Sequence, residues 1–143
     1  MFDQVSDDIH AFFKEFERAG NALDAEAICL HFADTFMNAD PGGAVPVPKA
    51  AFLAALSGRE KVFASIGVTG TRLNSINETR LDDNYVLVDT EWACEMVSSE
   101  AEPLTLSSAF ILHRDEGGAF KIVFYLNHQD IPEIVRTRAA LQR

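Results

Sequence analysis

Residues 85–98 read Tyr85-Val86-Leu87-Val88-Asp89-Thr90-Glu91-Trp92-Ala93-Cys94-Glu95-Met96-Val97-Ser98, and their alternation decides the fold class. Val86, Val88, Thr90, Trp92, Cys94 and Met96 take one face, while Asp89, Glu91 and Glu95 take the other, the period of two that a half-buried strand requires. The same period runs through the neighbouring segments. Strands are expected over about 68–80, 85–98, 104–115 and 119–129. They are joined by Leu81-Asp82-Asp83-Asn84, by Ser98 to Pro103, and by Glu116-Gly117-Gly118, a good hairpin signal. In the last strand Phe120, Ile122, Phe124, Leu126 and His128 share the apolar face. Tyr125 and Asn127 then fall on the outer face, a placement that strong curvature or a bulge would reverse.

Upstream the period is that of a helix. Val5, Ile9, Phe12, Phe13 and Phe16 form an apolar stripe between Asp7, Asp8, Lys14, Glu15 and Glu17, which predicts an amphipathic helix over about 4–18, ended by Gly20 and Asn21. Asp24 suits the N-cap of a second helix carrying Ala25, Ile28, Cys29 and Phe32, with Leu23 and Ile28 in hydrophobic-staple positions. Phe36 to Asp40 reads as a short extended piece, and Pro41-Gly42-Gly43 with Pro46 and Pro48 as an irregular rim. Pro48 fits the first turn of a third helix whose stripe is Phe52, Leu56, Val62, Phe63 and Ile66, ending at Gly67. Pro132 opens a C-terminal helical tail with Ile134, Val135 and Leu141, in which Arg136, Arg138 and Arg143 suit the negative end of the helix dipole. Three helices and then a four-stranded antiparallel meander make one α+β domain over residues 1–143, with the helices on one face of a sheet that curls around them.

The chain has 143 residues, with 12 Lys and Arg against 22 Asp and Glu, a net charge of −10, and 48% hydrophobic residues. That length suits a single core with room for one pocket. The acidic balance argues against nucleic acid and anionic membranes as partners, because binding either depends on Lys and Arg facing phosphates. No apolar run approaches the roughly 20 residues of a membrane span, and Met1-Phe2-Asp3-Gln4 lacks the pattern of a signal peptide, so the expected location is the cytoplasm. Cys29 and Cys94 stand in apolar surroundings without a CxxC pair or a Cys/His cluster; they read as reduced core residues, and no metal site is expected. Gly42-Gly43 and Gly117-Gly118 are turns and do not form phosphate loops. No cofactor is implied.

The αα-hairpin, the string Phe32-Ala33-Asp34-Thr35-Phe36-Met37-Asn38-Ala39-Asp40-Pro41-Gly42, the Pro48 helix and the final hairpin ending in Phe120-Lys121-Ile122-Val123-Phe124-Tyr125-Leu126-Asn127-His128 together resemble the nuclear transport factor 2-like superfamily. The resemblance is to its SnoaL-like and ketosteroid-isomerase-like branches and covers nearly the whole chain. It implies a cystatin-like α+β barrel: a cone-shaped, curved antiparallel sheet wrapped around the N-terminal helices and enclosing an apolar pocket open at one end. Sheet faces in such proteins often pair into dimers. The fold hosts isomerases, cyclases, dehydratases, epoxide hydrolases and binding modules, so it does not select among them.

In ketosteroid isomerases the catalytic base is an Asp followed by Pro after the second helix, and Asp40-Pro41 matches that position. The resemblance therefore implies Asp40 as a base aimed into an apolar pocket. Its residue type equally suits an Asp that starts a turn by bonding the following backbone. The phenol of those isomerases falls near Phe13 or Phe16, and their protonated Asp near Ala109 or Phe110, none of which can hold an oxyanion; steroid isomerisation by that route is not expected. His128, inward by parity, is either a proton shuttle working with Asp40 or a core histidine bonded to a carbonyl. Phe16, His31, Phe36, Asn38, Phe63, Trp92, Phe110 and Phe124 are the candidate substrate contacts, and Trp92 serves as pocket floor or simply as core.

Two functions follow. The first is a SnoaL-like small-molecule pocket protein acting on an apolar substrate, a cofactor-independent isomerase, cyclase or dehydratase with Asp40 and His128 as acid and base. The second is a non-catalytic ligand-binding or dimerisation module. A homodimer is expected through the outer sheet face, where Leu73, Leu87, Val97, Ile111, Val123 and Tyr125 mix with polar residues.

Overall fold

The computed structural model describes residues 6–141. The expectations for Val5 and Arg143, and for Met1 to Gln4, lie outside the described residues, as does the side chain of Leu141. In chain order the elements are α1 (Asp7–Asn21), α2 (Ala25–Cys29), β1 (Phe32–Asp40), β2 (Gly43–Pro48), α3 (Lys49–Ser65), β3 (Val68–Arg80), β4 (Tyr85–Met96), β5 (Thr105–Arg114), β6 (Phe120–Asn127) and α4 (Ile131–Leu141). No helix among the described residues is long and apolar enough to cross a membrane.

The helices begin and end where their chemistry directs. Asp7 and Asp8 occupy the first turn of α1 and Arg18 its last, each complementing the helix dipole. Asp24 caps α2, its carboxylate accepting from the Ala27 amide at 3.1 Å. The staple expected across that turn does not form: Ile28 is buried, but Leu23 adopts φ 55° and is exposed. Pro48 sits one position before α3, as its N-cap residue, and α3 stops before Gly67, whose φ of 87° a side-chain-bearing residue rarely adopts. Val62, expected in the α3 stripe, is exposed. At the other end Arg138 pins α4 by donating to the carbonyls of Glu102 and Pro103.

The meander forms as expected, β3 to β6 pairing in sequence and antiparallel. The curved sheet holds two strands more than the meander, in the order β2-β1-β6-β5-β4-β3, and it stays open between β2 and β3. β1 joins β6 in parallel, so the sheet is mixed. The segment expected to be an irregular rim is instead β2, hairpinned onto β1 with Pro46 opposite Met37 and Pro48 opposite Thr35. Proline is tolerated there because β2 is an edge strand, and two prolines of one parity can both turn their missing amides to the open edge.

The core lies between the helices and the concave face of the sheet. Phe13, Phe32, Phe36, Phe110, Ile9, Leu112 and Ile122 are fully buried. Phe13 and Phe110 meet edge-on at 5.0 Å, tying α1 to β5.

One irregularity decides what faces the interior at the far end of β6. Leu112 pairs with Ile122, but the adjacent Ile111 pairs with Phe124, so Val123 is an extra residue opposite β5. A bulge of this kind reverses the alternation beyond it. Phe120 and Ile122 point inward, and after the bulge so does Tyr125, paired with Phe110 and 8% exposed. Phe124, Leu126 and His128 therefore leave the apolar face on which the uninterrupted period placed them.

Candidate functional site

A cavity of about 660 Å³ lies between α1, α3 and the concave sheet, partly open to solvent. Its walls come from seven elements, with α2 and β3 at the margin through Ala25, Ile28 and Val68 to Thr71. α1 contributes Phe16; α3 contributes Phe52, Leu56, Arg59 and Phe63; β4 contributes Trp92; β5 contributes Leu106, Ser108 and Phe110; and β6 contributes Tyr125 and Asn127. The lining is predominantly apolar and aromatic with a few polar groups, the usual make-up of a small-molecule site.

The polar groups are ordered by the sheet register. Thr90, Ser108 and Asn127 are successive cross-strand partners. Thr90 Oγ1 donates to the Ser108 carbonyl at 3.1 Å and accepts from Trp92 Nε1 at 2.8 Å, so the indole is fixed against the wall with its N–H satisfied. Tyr125 stacks on Phe110, centroids 4.9 Å apart and planes 3° from parallel. Arg59 Nη2 donates to Tyr125 Oη at 3.0 Å, and the guanidinium lies 5.8 Å from the ring centroids of both Phe63 and Tyr125. Tyr125 pushes the Arg59 pKa up by more than burial pulls it down, so the charge is held. Because the phenol oxygen accepts from Arg59, its own proton is left to donate elsewhere.

Arg59 has no acidic partner within ion-pair distance among the described residues. Two acids share the cavity lining with it, Glu17 and Glu60. The Glu17 carboxylate is taken by the Leu73 amide.

The residues singled out from sequence separate into two groups. Phe16, Phe63, Trp92 and Phe110 line the cavity together. The others do not. Asp40 is exposed at the β1–β2 turn, where its Oδ1 accepts from the Gly42 amide at 2.8 Å, the turn geometry that its residue type allowed. His128 is exposed beyond the end of β6, its backbone amide on the Ser107 carbonyl. The two therefore do not converge on the cavity. Phe124 is on the convex face, opposite Ile111. Phe36 is core, packed edge-on against Phe52 at 5.2 Å. Asn38 pairs with Tyr125 across the β1–β6 junction but stays outside the lining. His31 is buried against Phe12, with Nδ1 2.8 Å from the Ala27 carbonyl oxygen, and burial lowers its pKa. Its place is structural.

Sequence reasoning missed Arg59, and it placed Tyr125 and Asn127 outward except in the case of a bulge, the case that the register of β6 realises. A signal for Arg59 existed: positions 52, 56, 59 and 63 follow helical spacing, so Arg59 occupies one of the four places on the stripe that faces the cavity. For Tyr125 and Asn127 nothing in the string Ile122-Val123-Phe124 marks a bulge.

The family model described as "NTF2-like protein (DUF6841)" matches residues 3–130. Among solved structures, an NTF2-like protein of unknown function from Shewanella oneidensis is similar at TM-score 0.69 and 17% identity, over 86% of this chain and 98% of that one. A Nostoc punctiforme protein of unknown function with a cystatin-like fold has TM-score 0.67 and 14% identity, over 86% and 89%. A ketosteroid isomerase-like protein from Erwinia carotovora atroseptica has TM-score 0.63 and 14% identity, over 90% and 98%. At these identities the likeness is one of fold. No curated protein matches the chain.

Proposed function

The chain belongs to the NTF2-like family whose model matches residues 3–130, and from that premise we propose that it binds an apolar small molecule in the cavity between α1, α3 and the sheet. The carrying observation is the cavity itself: about 660 Å³, walled by Phe16, Phe63, Trp92 and Phe110, with Arg59, Ser108, Tyr125 and Asn127 among its polar groups. Sites of roughly 300–1,000 Å³ with such a lining suit a molecule of drug size.

Trp92 is the chain's single tryptophan and part of the wall, so its emission reports occupancy directly. Polycyclic and terpenoid compounds are expected to quench it saturably and to raise the melting temperature. Ser108→Phe, which fills the floor, is expected to abolish both responses. If no compound in such a screen shifts either signal, the pocket reading fails.

An isomerase, cyclase or dehydratase is the second reading, favoured by the Tyr125 proton left free beside Arg59, a donor pair able to hold a developing oxyanion. It takes the place of the phenol absent from α1. Turnover lost in Tyr125→Phe with binding retained supports this reading, and turnover unchanged removes it.

We further propose a homodimer through the convex face. Leu87, Ile111, Phe124, Met37 and Pro46 are successive cross-strand partners on that face, an apolar row across five strands. Of the residues expected there, Tyr125 faces the cavity and Leu73 packs against the core; Phe124 takes their place. Light scattering giving a dimer mass that Phe124→Glu converts to a monomer supports it; a monomer in the wild type refutes it. The cytoplasm is the location that fits the unpaired Cys29 and Cys94.

A further inference from the structure

The cavity of this strongly acidic chain holds a cation with no acid against it among the described residues. Arg59 is carried on the cavity-facing stripe of α3 between Leu56 and Phe63, is partly buried, and spends one of its five N–H donors on Tyr125. The net charge is −10, so acids to pair with it are abundant. None is placed to do so among the described residues: the Glu17 carboxylate is occupied by the Leu73 amide, and Glu60, its neighbour on α3, is exposed and outside ion-pair distance. A guanidinium held against Phe63 and Tyr125 has partly surrendered its water without receiving a counter-ion among the described residues, and an anion brought by a ligand supplies what is missing.

We infer that the ligand of this cavity is an apolar, largely aromatic molecule bearing one oxyanion, a carboxylate or a phenolate, seated with that oxygen on Arg59 and the Tyr125 hydroxyl and its rings against Phe16, Phe63 and Trp92. The inference rests on the pocket reading above and adds the charge of the occupant. A single guanidinium suits a monoanion. The aromatic faces suit the remainder, since stacked and edge-on contacts with Phe16 and Trp92, whose own rings lie 6.3 Å apart, favour flat rings over branched chains.

The test compares two probes of nearly equal size and opposite character at one end, 1-pyrenebutyrate and 1-pyrenebutanol, titrated against the full chain at pH 7.5 with Trp92 emission as readout. Pyrene accepts energy from tryptophan, so quenching reports a probe seated beside Trp92. The carboxylate is expected to bind about tenfold or more tightly than the alcohol, the range of one charge-assisted hydrogen bond. Arg59→Met is expected to erase that preference, bringing the ratio of the two affinities to about one. Arg59→Lys is expected to keep much of the preference. Arg59→Gln serves, with the same expected outcomes, where the Met variant does not fold. Equal binding of the two probes to the wild type overturns the anion inference and leaves the pocket reading standing. A preference that survives Arg59→Met or Arg59→Gln overturns the assignment to Arg59. Quenching by neither probe overturns the pocket reading and this inference with it.

Discussion

Replacing Tyr125 and His128 separately by Ala tests the bulge at Val123, on which the whole site depends. An uninterrupted β6 puts His128 inside and Tyr125 outside, whereas the observed register does the opposite. Tyr125 is 8% exposed, stacked on Phe110 at 4.9 Å and bonded to Arg59. Burying an aromatic ring stabilises by about 1.5–3 kcal/mol, and a well-aligned aromatic pair adds about 0.5–1.5 kcal/mol. The wall already borders a cavity, so truncation opens little new empty space, and the separate cavity cost that accompanies most core truncations is largely absent. Tyr125→Ala is therefore expected to cost about 2–4 kcal/mol, a fall in melting temperature of about 6–12 °C for a chain of this length. His128→Ala, at an exposed position whose side chain takes no part in the sheet, is expected to stay within about 0.5 kcal/mol. Urea unfolding followed by Trp92 emission measures both. A larger loss for His128→Ala than for Tyr125→Ala refutes the register and, with it, the position of Tyr125 in the site.

Three further outcomes are expected. Asp40→Ala removes the acceptor for the Gly42 amide, so it should lower stability by about 1 kcal/mol or less and leave 1-pyrenebutyrate affinity unchanged; a tenfold loss of affinity contradicts the turn role. Asp24→Ala removes the α2 cap and is expected to cost about 1 kcal/mol by thermal denaturation, and an unaltered melting temperature argues that the cap contributes nothing. Burial holds the His31 pKa below 6.5, so the unfolded chain takes up that proton first; the stability tied to neutral His31 is complete above about pH 7 and is lost as pH falls through 6.5 toward the folded value. The urea midpoint should fall between pH 7.5 and 5.5 in the wild type and fall less in His31→Phe, and equal slopes in the two proteins refute the assignment.

Much of the fold was legible because long strands with one buried face advertise their period. The segment 68–80 appears as β3 over Val68–Arg80, and Gly117-Gly118 closes the last hairpin as turn chemistry requires. β2 was not legible, because Pro46 and Pro48 disfavour a central strand and only the tertiary fact that β2 is an edge makes them harmless. At the site, Phe16, Phe63, Trp92 and Phe110 were found by the rule that apolar stripes face inward. Arg59 was passed over by the same rule: a stripe reading collects apolar residues and skips the charged one whose spacing equally qualifies it. For Asp40 the matching local string implied a base and the residue type a turn; the turn is what forms, the carboxylate accepting from the Gly42 amide in the two-residue turn it closes.

The cost of one unseen bulge can be traced through both faces of the sheet. Before Val123 the inward residues are Phe120 and Ile122; after it they are Tyr125 and Asn127. Without the extra residue the cavity would receive Phe124, Leu126 and His128 in place of the phenol and the amide, and Arg59 would lose its acceptor. The convex face would lose Phe124 from the row running from Leu87 to Pro46 and gain a tyrosine. Because side chains alternate with a period of two, a single insertion exchanges the two sets completely. The polar end of the pocket and the apolar row proposed for dimerisation are thus set by the same backbone irregularity, and a deletion of Val123 is expected to damage ligand binding and self-association together.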